Sequence, residues 1–104
     1  VRSSWETMVA QAKRFGTKVL LLTPTPDLST EWNSENDPLS ALAVMIRRMS
    51  DDQGVGLVDS YQAFARLADK KVDLKTYMSQ SNHPNRRGHE VVADLILKWF
   101  PEPQ

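Results

Sequence analysis

Val19-Leu20-Leu21-Leu22-Thr23-Pro24-Thr25-Pro26 is the stretch that decides the fold. Val19–Leu22 is an unbroken apolar run without the in-out alternation of a strand wetted on one side, so it reads as a strand covered on both faces, as parallel strands are. Pro24 and Pro26 cannot continue a hydrogen-bonded ladder, so the chain must leave the sheet there. Downstream, Asp37-Pro38 offers a helix N-cap followed by proline at the first helical position. Leu39, Leu42, Met45, Ile46 and Met49 then recur at helical steps, which predicts one apolar stripe, with Arg47 and Arg48 facing away. A second short apolar run, Val55–Val58, is entered through Gly54 and interrupted by Gly56. Strand, helix, strand predicts a right-handed crossover and a parallel sheet.

The flanks carry the same alternation. Before the first strand, Ser3-x-x-Glu6 has capping-box spacing, so Ser3 and Ser4 read as caps. Trp5, Met8, Val9, Ala12 and Phe15 form the stripe of a helix that ends at Gly16, with Lys13 and Arg14 in its last turn. After the second strand, Asp59-Ser60 caps a short helix carrying Tyr61, Phe64, Ala65 and Leu67. Residues 69–83 read as irregular, with a helical turn around Leu74–Met78. A last helix is expected from about Arg86 to Phe100, burying Val91, Val92, Leu95, Ile96 and Trp99, with Pro101 as its stop. The fold class is therefore α/β, with only two strands in the chain. Two parallel strands do not make a self-sufficient sheet, so the chain reads as the second half of a larger sandwich.

Composition narrows the function classes. The chain has 104 residues, with Lys+Arg and Asp+Glu balanced at 13 each, so no global field recruits nucleic acid or an anionic membrane. Cysteine is absent, which excludes disulfide scaffolds, thiolate nucleophiles and Cys-based metal sites. The longest apolar run, Ala41–Ile46, is far below the roughly 20 residues that span a bilayer. The chain opens on Val1 with no basic segment leading into an apolar one, so a processed or excised chain is expected, and its compartment stays open. No Gly-rich phosphate loop supports a nucleotide site, and no cofactor is expected.

Asn82-His83-Pro84-Asn85-Arg86-Arg87-Gly88-His89 is the segment with chemical content. Pro84 pushes the backbone of His83 toward the extended region, and Asn85 stands where an N-cap is wanted. His83 therefore sits on a loop immediately before a helix, presented as a general base must be. The same spacing also suits a surface or capping histidine. Gly88 in the first turn implies a neighbouring backbone too close to admit a Cβ. His89, inside the helix, reads as structural, and nothing nearby has metal-ligand spacing, so no metal is expected.

From Val55 to Phe100 the sequence resembles the closing segment of the SGNH hydrolases, the GDSL-type esterases and lipases. The matching residues are His83-Pro84-Asn85, Gly88-His89 and the apolar helix Val91–Leu97. Val19–Pro26 resembles that family's fourth strand with its exit, and Asp59-Ser60-Tyr61 the exit from its fifth. The resemblance implies a flavodoxin-like three-layer α/β/α sandwich of about five parallel strands, of which this chain holds the last two. It also implies that His83 is the catalytic base for a serine hydroxyl attacking an ester carbonyl, with an oxyanion hole holding the developing charge.

Two departures shape the expectation. The family's Gly-Asp-Ser nucleophile segment and its oxyanion glycine and asparagine blocks are absent from this sequence. The chain would thus supply a base without a nucleophile, inactive until the missing N-terminal part of the domain or a second chain completes it. The family's acid, three residues before the histidine, is here Gln80, whose carbonyl can accept the Nδ1–H bond but carries no charge. A backbone carbonyl could orient the ring instead, or Asp73 could swing in. Asn82 and Asn85 are supporting candidates.

The loop Thr23–Trp32 leaves the carboxyl end of a strand, the ligand side of an open α/β sheet. Pro24, Thr25 and Trp32 are accordingly the pocket candidates, with Leu28 beside them, although Trp32 could equally pack locally. Arg47-Arg48, Lys70-Lys71 and Arg86-Arg87 read as exposed faces. The expected ligand is a small-molecule ester: acetylated carbohydrate, short acyl ester or lysophospholipid. The rival reading is a non-catalytic α/β module that associates or exchanges strands with its own copy through exposed sheet edges.

Overall fold

A computed structural model describes residues 2–100; the expected stop at Pro101 lies outside them. Helix α1 (Arg2–Arg14) leads into strand β1 (Leu20–Leu22), helix α2 (Pro38–Gln53), strand β2 (Gly56–Val58) and helix α3 (Ser60–Asp69). A 3-10 turn at Leu74–Tyr77, strands β3 (Met78–Gln80) and β4 (His83–Pro84) and helix α4 (Arg86–Leu97) follow. β1 and β2 pair in parallel, with Leu20, Leu21 and Leu22 opposite Gly56, Leu57 and Val58.

Local chemistry sets most boundaries. Asp37 caps α2 by accepting the Ser40 N–H at 2.9 Å, and Asp59 caps α3 by accepting the Gln62 N–H at 3.1 Å. Gly16 takes φ 75° behind α1, and the bonds from Gly16 N to Lys13 O (3.0 Å) and Thr17 N to Ala12 O (3.0 Å) close a Schellman end. The expected capping box does not form. Ser3 and Ser4 lie inside α1, where the Ser3 carbonyl accepts from Thr7, and Glu6 instead pairs with Arg2 at 2.5 Å.

One core cluster lies between α1, α2 and one face of the β1–β2 ladder: Val9, Leu21, Ile46 and Met49, with Trp5, Val19, Leu42, Met45, Val55 and Leu57 packed around them; Val58, Tyr61, Phe64, Ala65 and Met78 are buried outside it. On the other face the Trp99 ring lies 3.2 Å from where a Gly56 Cβ would be, and its indole N–H donates to the Leu57 carbonyl at 3.0 Å. The two sheet edges therefore differ. Bonds from Gly56 N to Val19 O and from Thr23 N to Val58 O turn Val19, Leu21 and Thr23 toward β2. By the alternation of a parallel ladder, the peptide groups of Leu20 and Leu22 point away from it. The β2 edge is covered by Trp99, and among the described residues the β1 edge has no neighbouring strand.

That open edge explains several departures from expectation. β1 is not covered on both faces, since Leu22 is 40% exposed. The stripe of α1 is buried only in part: Val9 is inside, whereas Met8 and Phe15 are exposed because the two-stranded sheet is too narrow to reach under them. α4 stops at Leu97, three residues short of its expected end, and Trp99 lies exposed beyond it as an edge cover. The molecule is a slab of 42 × 42 × 21 Å with a radius of gyration of 14.8 Å, against about 13 Å for a compact domain of this length.

Candidate active site

The site region lies where β1 and β2 end. Thr23 is buried there, donating from Oγ1 to Asp59 Oδ1 at 2.9 Å and accepting the Tyr61 N–H at 3.0 Å. Arg47 does not face away as its neighbour Arg48 does. Its Nε donates to Asp59 Oδ2 at 2.8 Å and its Nη2 to Oδ1 at 3.2 Å, while the guanidinium lies 5.6 Å from the Tyr61 ring centre. The helical stripe put Arg47 on the side facing away, because nothing local shows that the tertiary structure brings the α3 cap alongside to receive it. Burial pushes the Asp59 carboxyl up; the bonds from Arg47, the Gln62 N–H and Thr23 outweigh this and hold it below the usual carboxylate value.

This hub orders the long connection between β1 and α2. The buried Tyr61 hydroxyl lies 2.5 Å from Ser40 Oγ and accepts the Asn33 N–H at 2.9 Å. Trp32 meets the Tyr61 ring edge-on at 5.4 Å, so it packs on α3 while remaining half-buried. Pro24 and Thr25 are half-buried at the start of the same segment. Further along, Leu28 N donates to the Ser81 carbonyl at 2.8 Å. Ser40 and Ser81 carry no motif and sequence reasoning passed over them; it placed Arg47 on an exposed face, and it noted Tyr61 only on the α3 stripe and in the strand exit.

The segment expected to be irregular before α4 contains a hairpin, and His83 is in its second strand rather than in a loop. Met78 pairs with Pro84 and Gln80 with His83, with an irregularity between the two pairs. So short a ladder has no periodicity to read. Gln80, Ser81, Asn82 and His83 are all exposed, and Ser79 Oγ donates to the His83 carbonyl at 3.1 Å. Asn85 caps α4 as expected, accepting the Gly88 N–H at 3.1 Å, and its side-chain amide donates to the Thr76 carbonyl at 2.8 Å. A Cβ on Gly88 would collide with the Tyr77 carbonyl oxygen and stand 2.8 Å from Pro84 Cβ, the close backbone approach that its position implied. Asp73 accepts the Lys75 N–H at 3.0 Å as the cap of the 3-10 turn. Arg86, Arg87, Lys70 and Lys71 are exposed as expected.

The structure thus links the β1 exit to the histidine hairpin without enclosing them. A cleft of about 620 Å³ lies at the opposite end of the strands, between Lys18, Val55 and Trp99, and one of about 400 Å³ lies beside α2 at Asn33, Glu35 and Arg48. Neither is lined by Pro24, Thr25, Trp32 or His83. Among the described residues no cluster of His, Asp and Glu could hold a metal ion.

No family model matches the chain. The solved structure of Axe2, an acetylxylan esterase from Geobacillus stearothermophilus, matches with a TM-score of 0.76 at 18% identity, over 98% of this chain and 46% of that one. The chain shares its fold with about half of an esterase. LAE5, an α/β hydrolase enzyme from the metagenome of Lake Arreo, Spain, matches with a TM-score of 0.63 at 23% identity, over 94% of this chain and 46% of that one. In sequence, 88 residues are 27% identical to an acetylxylan esterase of Xylanibacter ruminicola, covering 84% of this chain and 17% of the relative. These matches bear out the fold implied by the resemblance to the SGNH hydrolases. Two further matching structures are catalytic mutants of Axe2 that replace a histidine in one and a serine in the other by alanine.

Proposed function

We propose that residues 1–104 are the carboxy-terminal part of one SGNH-type domain that hydrolyses acetyl esters of carbohydrate, with His83 as its general base. The carrying observation is that an acetylxylan esterase fold covers 98% of this chain, together with an exposed histidine one turn before α4 on the ligand side of the sheet. The acetyl and carbohydrate specificity follows the relatives in structure and in sequence.

In this reading a serine hydroxyl from the amino-terminal part approaches His83. The imidazole removes the hydroxyl proton as the oxygen attacks the acetyl carbonyl, and then returns it to the departing sugar oxygen. His83 next removes a proton from water as the water oxygen attacks the acetyl carbonyl, and gives that proton to the departing serine oxygen, so that acetate leaves and the serine hydroxyl is restored. Gln80, its pairing partner across the hairpin, offers a carbonyl that fixes the tautomer without stabilising the imidazolium by charge. Pro24, Thr25 and Trp32 face the sugar. The open edge of β1, with Leu22 exposed beside it, receives the next parallel strand of the same domain. The same edge supports one alternative, a non-catalytic module that pairs with its own copy.

The test is acetyl release. The 104-residue protein alone is expected to leave p-nitrophenyl acetate and acetylated xylo-oligosaccharide untouched. The same chain joined to an upstream segment carrying Gly-Asp-Ser is expected to hydrolyse both and to lose at least a thousandfold in kcat as His83→Ala. Turnover by the isolated chain, abolished in His83→Ala, would overturn the half-site reading. Unchanged turnover by His83→Ala in the joined polypeptide would remove the base assignment.

A further inference from the structure

We propose that the Asp27–Thr30 turn is the positioning element of the His83 hairpin, acting through the Leu28 N–H on the Ser81 carbonyl; this rests on His83 being the base. The hairpin is too small to hold itself. β3 has three residues and β4 two, with an irregularity between their pairs, and isolated two-stranded hairpins are marginal in water. Its base is secured by Asn85 N to Tyr77 O at 2.9 Å and by buried Met78. Its tip, where His83 begins the return strand, projects exposed. Among the described residues, the bond from Leu28 is the backbone hydrogen bond that reaches the tip from outside the hairpin.

The donor is held rigidly. Asp27 Oδ1 accepts from Ser29 N (2.9 Å), Ser29 Oγ (2.8 Å) and Thr30 Oγ1 (3.2 Å). Thr30 Oγ1 accepts the Asp27 N–H at 2.9 Å, and Thr30 N donates to the Asp27 carbonyl at 3.2 Å. The turn satisfies its own polar groups and leaves the Leu28 N–H pointing at Ser81. The far end of the same connection is tied down by the Tyr61 hydroxyl on Asn33 N. A histidine base tolerates little misplacement, because hydroxyl and imidazole must stand within hydrogen-bond reach.

Asp27→Ala removes the acceptor that closes the turn, whereas Asp27→Asn keeps one carbonyl oxygen there. Amide hydrogen exchange on the 104-residue protein is expected to quicken about tenfold at Leu28 and also at the Gln80–His83 hairpin in Asp27→Ala, with Asp27→Asn close to the parent. In the joined, active polypeptide, Asp27→Ala is expected to lower kcat about tenfold with KM unchanged, and Asp27→Asn to restore it. Faster exchange at Leu28 with the hairpin amides unmoved, or a kcat equal to the parent's, would overturn the proposal. If every joined polypeptide, the parent included, is inert, the esterase reading fails. The exchange result alone then decides whether the turn positions the hairpin.

Discussion

Asp59 is the position at which a single substitution should register most clearly. Its carboxylate accepts two bonds from Arg47, one from Thr23 and the α3 cap bond from Gln62 N. The Arg47 and Asp59 side chains are only 29% and 27% exposed, so water replaces these bonds poorly. Losing an N-cap costs about 1 kcal/mol, and losing charge-assisted bonds about 1.5–3 kcal/mol. Asp59→Ala should therefore cost about 3 kcal/mol, and Asp59→Asn, which keeps the cap oxygen, about 1 kcal/mol. Against a total of about 5–15 kcal/mol for a chain this long, the alanine variant is expected to unfold in urea about 2 M earlier at a slope near 1.5 kcal/mol/M.

The acid response supplies a second check. The Asp59 carboxyl is held below its ordinary value in the fold, so the stability it contributes is complete above the unfolded value of about 3.9 and is lost as pH falls through the lower folded value. The gap between parent and Asp59→Asn should hold down to about pH 5, narrow below that and close in strong acid. Asp37, lowered mainly by the Ser40 N–H, titrates in both proteins and cancels from the difference. A urea midpoint for Asp59→Ala within about 0.3 M of the parent at pH 7, or a gap that widens in acid, would refute the hub.

Three further outcomes follow from named contacts. Gly88→Ala gains about 1 kcal/mol of helix propensity but meets the Tyr77 carbonyl and Pro84, so a net loss of about 1–3 kcal/mol is expected in thermal unfolding. Asn85→Ala should lose about 1–2 kcal/mol through its cap on Gly88 N and its bond to Thr76 O, whereas Asn85→Asp, which keeps the cap, should lose less. Leu22→Lys places a charge beside the open β1 edge; if that edge pairs, sedimentation should show less self-association of the isolated chain than the parent shows.

Punctuation and apolar runs determined the order of elements. Asp37-Pro38, Asp59, Asn85 and Gly16 each act through neighbours within a few residues, which is why their caps and turns are readable in one dimension. Gly88 was readable as a crowded position, but the Tyr77 carbonyl that crowds it comes from the hairpin side and was decided by the tertiary structure. The resemblance around His83 and the strand–helix alternation also sufficed for the α/β class. What the tertiary structure decided involves partners far apart in the chain. Arg47 and Asp59 meet because α2 and the β2 exit lie side by side; Leu28 reaches Ser81 across 53 positions. Burial was decided the same way, because a stripe such as Met8 and Phe15 becomes core only where a sheet is wide enough to lie beneath it, and two strands are not.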